Sequence, residues 1–417
     1  MKLRVLIIGS VWPEPQSSAA GSRTRQLISL FRSKGWEITF ASAAAESEYM
    51  IDLEKAGVSK KNIQINDSSF DDFIIELKPE IVMFDRFIIE EQFGWRVAEN
   101  CPDALRILDT IDLHCLRQAR HTALKEKRSL QVSDLFSDIA KREIASITRS
   151  DLSFIISDAE MKFLEDVFKV DKQLLHYLPF MPEAITDSEM KQWKPFEERL
   201  HFVTIGNFLH APNLDAAIYL KKEIWPLIRK RLPEAELHVY GAYPSQKVLE
   251  LNDEKNGFFI KGRAVSSSEV MSQGRVCLAP LRFGAGIKGK LVEAMQCGTP
   301  SVTTEIGAES MHGHYDWSGI ISNEPSDIAE AAIKLHADKS LWEQAQQNGR
   351  RIINEFFAKE AVESGLLARM ESVMLNLKEH RMENFTGAML LHQTMAGTKY
   401  MSRWIEAKNK NINQEKQ

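Results

Sequence analysis

Two stretches nearly two hundred residues apart begin the same way. Arg4-Val5-Leu6-Ile7-Ile8-Gly9 and His201-Phe202-Val203-Thr204-Ile205-Gly206 are each an apolar run that stops at a glycine, followed by a loop and a helical pattern. An unbroken apolar strand is covered on both faces, which calls for helices on both sides of a parallel sheet. After the first start, further apolar runs alternate with helical patterns at 38–41, 63–65, 81–84, 105–108 and 153–156. After the second they fall at 237–240, 258–260, 276–279, 301–303 and 319–321. A pattern that restarts argues for two Rossmann-like α/β domains rather than one large sheet. The reading divides the chain into a domain at 1–180, a proline-punctuated linker at 181–197, a second domain at 198–378 and a helical C-terminus at 379–417.

Composition narrows the classes. A chain of 417 residues has room for two to three domains with sizeable cores. A net charge of −5 argues against a general nucleic-acid binder. Cys101, Cys115, Cys277 and Cys297 are scattered, without a CxxC pair or a histidine cluster at zinc spacing, and read as buried thiols of a reducing compartment. No apolar run approaches the eighteen residues of a membrane span, so the expected location is cytoplasmic.

The most informative stretch runs from Arg275 to Thr304. A buried strand ends at Pro280; Gly284 and Gly286 allow a tight turn with the backbone close to a ligand; and helical spacing covers 287–297. Gly298 suits the position after a helix, and Pro300 blocks its continuation. The helix start presents bare N–H groups together with Lys288 and Lys290, an arrangement that favours a phosphate. Glu293 lies among these cations, which fits a nucleotide diphosphate joined to a hydroxyl-rich group.

The run Pro280-Leu281-Arg282-Phe283-Gly284-Ala285-Gly286-Ile287-Lys288-Gly289-Lys290-Leu291-Val292-Glu293-Ala294-Met295 resembles the donor-site signature of family 4 retaining glycosyltransferases (glycosyl transferases group 1), which have the GT-B fold. Two more segments match in register: Gly206-Asn207-Phe208-Leu209-His210-Ala211-Pro212-Asn213, and the strand Leu237-His238-Val239-Tyr240-Gly241. The resemblance implies two Rossmann-like domains facing across a cleft, with the last helix crossing back onto the first domain. Residues 385–408 are the candidate for that helix, with an apolar stripe including Leu390, Leu391, Met395 and Trp404. It also implies donor binding by Glu293 (ribose hydroxyls), by Lys288, Lys290 and Arg282 (phosphates), by the backbone of Gly284, Ala285, Gly286 and Ile287, and by Gly206 and Asn207. Two departures stand out. The acid that many relatives keep eight residues before the ribose glutamate is Ala285 here, or Phe283 if the glycines are aligned. The first loop of the second domain offers Asn207 and His210 where relatives carry Arg and Lys, which shifts phosphate compensation onto Lys288.

In the first domain, Gly21 resembles the glycine that lets the backbone approach the reaction centre, with Arg23 or Arg25 nearby; Ser22 is equally readable as a helix cap. Leu108-Asp109-Thr110-Ile111-Asp112-Leu113-His114 follows a strand, at the edge where α/β proteins place ligands. His114 and Asp112 are the catalytic candidates; the alternative has Asp112 capping the next helix and His114 on the surface. Glu293 paired with Lys290 one turn away is the bland reading of that residue. The basic run Arg117–Arg128 is either a solvated face or a contact with anionic head groups at the inner membrane face.

The expectation is thus a metal-independent, retaining, hexosyltransferase-type enzyme of cell-surface polysaccharide or lipopolysaccharide synthesis. It would take a nucleotide sugar as substrate, no cofactor, and a glycan or lipid-linked acceptor. The rivals are a GT-B-fold epimerase or phosphorylase and a non-catalytic nucleotide-sugar binding protein. An NAD enzyme is disfavoured, because the loop after Gly9 lacks Gly-x-Gly-x-x-Gly.

Overall fold

The structure, a computed structural model, describes residues 2–414. The side chains of Met395, Ala396 and 410–414 fall outside the described part, and with them the place of Met395 in the expected stripe. The first sheet is built from β1 (Arg4–Gly9), β2 (Glu37–Ser42), β3 (Ser59–Asn62), β4 (Ile81–Asp85), β5 (Leu105–Asp109), β6 (Leu152–Ile155) and β7 (Leu175–Tyr177), in the order β3-β2-β1-β4-β5-β6-β7. The second contains β8 (His201–Ile205), β9 (Leu237–Tyr240), β10 (Phe258–Gly262), β11 (Gly274–Ala279), β12 (Ser301–Thr303) and β13 (Gly319–Ile321), in the order β10-β9-β8-β11-β12-β13. All the pairings within both sheets are parallel. In each, the strand order reverses beside the first strand, between β1 and β4 and between β8 and β11. Open α/β sheets bind ligands at such switch points, beyond the C-terminal ends of the strands.

Two strand expectations need correction. The apolar run at 63–65 is not the strand; the preceding polar Ser-Lys-Lys-Asn of β3 is, and it is exposed throughout. As an edge strand it pairs on one side only, so lysines there cost nothing and blunt the edge, while Ile63 turns inward beyond it. The three-residue β7 carries no apolar alternation to reveal it. The first helix, α1 (Ala19–Ser33), also starts earlier than Ser22: Ser18 is the cap and accepts from Gly21 N–H at 3.0 Å, whereas Ser22 Oγ donates to Pro15 C=O at 2.8 Å.

After the second sheet the chain returns to the first domain at Lys359 rather than at residue 379. Helix Lys359–Leu375 places Leu366, Met370 and Val373 in one apolar cluster with Val5, Ile7 and Leu178. The last helix, Phe385–Gln414, then packs on helices Phe87–Asn100 and Asp138–Arg149. Leu390 and Leu391 are half-buried as expected, but Trp404 is 60% exposed. Polar ties replace it: Lys399 pairs with Glu99 at 2.6 Å, and the buried Arg96 reaches Ser402 at 3.1 Å and also Glu406. The outgoing and returning passages between the domains lie side by side. Ile185 N–H donates to Asn354 Oδ1 at 2.7 Å, Asn354 Nδ2 donates to Ile185 C=O at 2.9 Å, and Lys359 pairs with Glu183.

Candidate functional site

The C-terminal ends of the two sheets face each other across a cleft of about 530 Å³. Its second-domain wall is the turn after β11 and the helix Gly289–Gln296, here α2. This helix starts at Gly289, not at 287, because Lys288 keeps an extended backbone (φ −89°, ψ 91°) and occupies the cap position. No side chain caps it and no acid sits in its first turn, so the N–H groups of its first turn are left to whatever enters the cleft.

Both lysines belong to this wall. Lys288 is 8% exposed and donates to Gly286 C=O at 2.7 Å; Lys290 donates to Asn213 Oδ1 at 2.8 Å. Burial pulls both down to about 8. At Lys288, Arg120 adds to that pull, while the carboxylates of Glu309, Glu160 and Asp112 oppose it. Two buried cations at an uncapped helix start lack one thing, an anion. Glu293 lines the same cleft and does not pair with Lys290. It accepts a short hydrogen bond from Ser267 Oγ, and burial raises its pKa.

The glycines act by geometry. Gly286 has φ 62°, and a Cβ there would sit 3.0 Å from both Asp112 Cβ and Ile156 Cγ2, so its missing side chain admits the first domain; it does not itself line the cleft. A Cβ on Gly206 would meet the Asn213 amide at 2.6 Å. That close packing lets Asn213 Nδ2 donate to Asn207 C=O at 2.9 Å and hold its oxygen toward Lys290. Asn207, Gly284, Ala285 and Ile287 line the cleft. Arg282 does not: its guanidinium is clamped by Asp215 (2.9 and 2.5 Å) and lies over the Tyr219 ring, so it is not placed to meet a donor.

The first-domain wall comes from the loops after β1, β4 and β5. Arg86 (φ 74°) and Ile111 (φ 63°) hold left-handed backbone although neither is glycine, a strain that collects at ligand sites. Asp112 is bonded by Arg117 and does not cap the next helix, His114–Lys125. Two distant buried acids do that. Glu143 accepts from the N–H groups of His114 and Cys115 at 3.0 Å each, and Glu160 accepts from Leu113 N–H at 2.8 Å. Burial and the charge of Asp112 push Glu160 up to about 8. Burial would raise Asp112, but Arg117, His114 and His210 outweigh it and hold its carboxyl well below the usual range. His114 is half-buried. Its Nδ1 lies 3.1 Å from Asp112 C=O and 3.2 Å from Glu143 Oε1, and with two acceptors there Nδ1 carries a proton.

Gly21 does not line the cleft. A Cβ there would lie 2.4–2.7 Å from the Glu14 backbone, so this glycine lets the 14–18 turn fold onto α1 instead of admitting a substrate. Arg23 is fully buried beneath the cleft, its Nε 2.9 Å from both Asp109 oxygens; Arg25 is the one whose charge reaches Glu293. The basic run splits. Arg117 holds Asp112, and Arg120 crosses to the second domain, donating to Gly284 C=O at 2.8 Å and to Glu309 at 2.7 and 2.6 Å. Lys125, Lys127 and Arg128 alone remain exposed. Ser267, Glu143, Glu160, Arg86 and Glu309 were not signalled by sequence; each acts through a partner far along the chain. Among the described residues one group has the donor set for a metal ion, His201, Glu236 and His238, and it lies outside the cleft. No helix among them is long and apolar enough to cross a membrane.

Residues 199–338 match the family model described as glycosyl transferases group 1. No curated protein matches the chain. Among solved structures, the chain is similar to a sucrose-phosphate synthase from Thermosynechococcus elongatus at 16% identity and TM-score 0.66, covering 89% of this chain and 100% of that one. It is similar to HepE from Anabaena in complex with UDP and glucose at 11% identity and TM-score 0.66, again over 89% and 100%. WaaG, a glycosyltransferase involved in lipopolysaccharide biosynthesis, follows at 13% identity and TM-score 0.57, over 86% and 98%. At such identities the likeness speaks for the fold: two parallel-sheet α/β domains in the GT-B arrangement.

Proposed function

We propose that this protein is a retaining glycosyltransferase that moves a sugar from a nucleotide diphosphate donor to a hydroxyl of a glycan or glycolipid, in the assembly of a cell-surface polysaccharide or lipopolysaccharide. The observation that carries the reading is the convergence of Lys288, Lys290, Glu293 and the uncapped start of α2 in one cleft, inside the segment that matches the glycosyltransferase family. In this reading Glu293 accepts the ribose hydroxyls and the lysines with the helix amides take the charge of the leaving diphosphate, the task of a magnesium ion elsewhere. The backbone of 284–287 holds the sugar. His114 and Asp112 stand on the opposite wall beside the reacting carbon, and the exposed Lys125 and Lys127 face an anionic, lipid-linked acceptor, while Arg128 is taken up by Asp134 and Glu126. HepE bound to UDP and glucose supports the donor class.

Glu293→Gln is the direct test. Charge-assisted hydrogen bonds to two ribose hydroxyls are each worth roughly 1.5–3 kcal/mol. The variant keeps the helix, since Gln and Glu have similar propensity, and should bind a nucleoside diphosphate about tenfold or more weakly. A 2′-deoxy nucleotide should lose much less, because the bond it lacks is already gone. Calorimetry on both proteins, in chelator and then with magnesium, completes the cycle. Equal affinity of wild type and variant for the ribonucleotide would remove the donor assignment, and binding seen only with magnesium would remove metal independence.

The lysines predict a pH dependence. Both stand at about 8 in the free protein, and a diphosphate beside them favours their charged forms and pushes both up. Binding therefore takes up protons at alkaline pH, and affinity should be steady near neutrality and fall as the pH passes about 8. Calorimetry at pH about 8.5 in buffers of different ionisation enthalpy reads that uptake directly. Buffer-independent heats would show that neither lysine meets the anion.

A further inference from the structure

His201, Glu236 and His238 meet at the edge of the second sheet opposite the cleft. β8 and β9 pair Phe202 with Leu237 and Val203 with His238, which sets His201 beside Glu236. Residues two apart on a strand share a face, so all three side chains rise from the same side of this strand pair. The backbone is pinned where they emerge, Phe202 N–H donating to Glu236 C=O at 2.9 Å. Glu236 Oε2 stands 2.8 Å from His238 Nε2 and 3.4 Å from His201 Nδ1, and the two imidazoles stack with centroids 4.3 Å apart. One ligand atom from each residue lies within 4.8 Å of the others, and all three residues are half-buried.

An ordinary ion pair needs one imidazole per carboxylate. Here a second imidazole, from the neighbouring strand, lies 3.4 Å from the same oxygen. Bonds of about 2.0–2.1 Å in a tetrahedral site put neighbouring ligand atoms roughly 3.3 Å apart; the carboxylate oxygen stands 2.8 and 3.4 Å from the two nitrogens, so small side-chain shifts bring the three to that spacing. Two imidazole nitrogens and one carboxylate oxygen form a borderline donor set that suits zinc, cobalt or nickel, whereas magnesium and calcium ask for more oxygens. Lys261, resting on the Phe259 ring, is the cation that opposes such a charge.

We propose that His201, Glu236 and His238 form a site for a divalent transition-metal ion of the zinc class, with its fourth position open to solvent. The ion clips β8 to β9 across the sheet. It lies at the far end of these strands from the cleft, so it stabilises the second domain without entering the chemistry proposed above, and it stands or falls independently of that reading.

The test uses the full chain without an added histidine tag, stripped with chelator and titrated with Zn²⁺ and Co²⁺. Expected are one ion per chain, cobalt absorption bands of tetrahedral type, and a rise in melting temperature of several degrees with zinc but none with magnesium. His201→Gln with His238→Gln should abolish the bands and the shift. Glu236→Gln, which keeps a hydrogen bond to His238, should weaken zinc about tenfold or more, and nucleoside diphosphate binding should be unchanged in every variant. Melting of the metal-free variants near the wild-type temperature establishes that they fold. An unchanged zinc shift in the double variant would show that the ion binds elsewhere and overturn the proposal, as would a wild-type protein that gives no cobalt bands.

Discussion

Replacing Lys288 by Met should lower sugar transfer by about 10²–10³-fold, the usual cost of removing one preorganised group that faces developing charge. The same substitution should make the free protein more stable at neutral pH, and this opposite sign gives the experiment its power. Lys288 is 8% exposed, and burial lowers it from 10.5 to about 8. The folded state thus holds a charged ammonium at a cost on the order of 3 kcal/mol, which a methionine of similar length does not carry. Between pH 8 and 10.5 the unfolded chain binds more protons at this site than the folded one, so wild-type stability rises with pH across that window. Lys290, lowered to the same value, keeps its own share of the rise, and the variant should show about half of it. Turnover and urea unfolding measured over that range separate the two roles. A loss of transfer smaller than about tenfold would mean that Lys288 does not face the leaving diphosphate.

The largest loss of stability should come from Asp109→Ala. Arg23 is wholly buried and Asp109 is 2% exposed; Arg23 Nε lies 2.9 Å from each carboxylate oxygen and Nη1 donates to Leu178 C=O at 2.7 Å. This pair ties α1 to the end of β5 and to the chain leaving β7, beneath the loops that form one wall of the cleft. Removing the carboxylate alone leaves an uncompensated buried guanidinium, a loss of about 3–5 kcal/mol. Removing both partners, as Arg23→Met with Asp109→Leu, should recover most of it, because the desolvation of both charges disappears together. Chemical denaturation of the two singles and the double closes the cycle. A single variant within about 1 kcal/mol of wild type would show that water or another acceptor reaches the guanidinium.

The strands were legible because a parallel sheet covered on both faces writes itself as apolar runs, and glycines mark where β1 and β8 end. The exceptions have the same origin. β3 is an exposed edge and can be all polar, and β7 is too short to show a period. Two helix starts were displaced by two or three residues: at α1 Ser18, not Ser22, is the local cap, and at α2 the extended backbone of Lys288 delays the helix. At the helix starting with His114 the capping falls to the distant Glu143 and Glu160 instead of Asp112. Within the site, Glu293 and both lysines were visible as a motif, since a loop and one helix carry them all. Asp112 with Arg117, Ser267 with Glu293 and Arg120 with Glu309 were not, because no local pattern announces a partner on another element. Gly21 was misread for a similar reason. A glycine that makes room for its own chain looks the same in sequence as one that makes room for a substrate.

The stapling of Ile185 to Asn354 bears on how the cleft can open. Two independent connections set far apart would act like the pins of a door and permit rotation about the line between them. Two passages bonded side by side form one narrow isthmus instead. It can flex, but any twist must turn both strands of chain together and shear the Asn354 bonds. Release of Arg120 from Gly284 and Glu309 should therefore let the halves part like a pair of tweezers, closest at the joint and widest at the side of the cleft away from it.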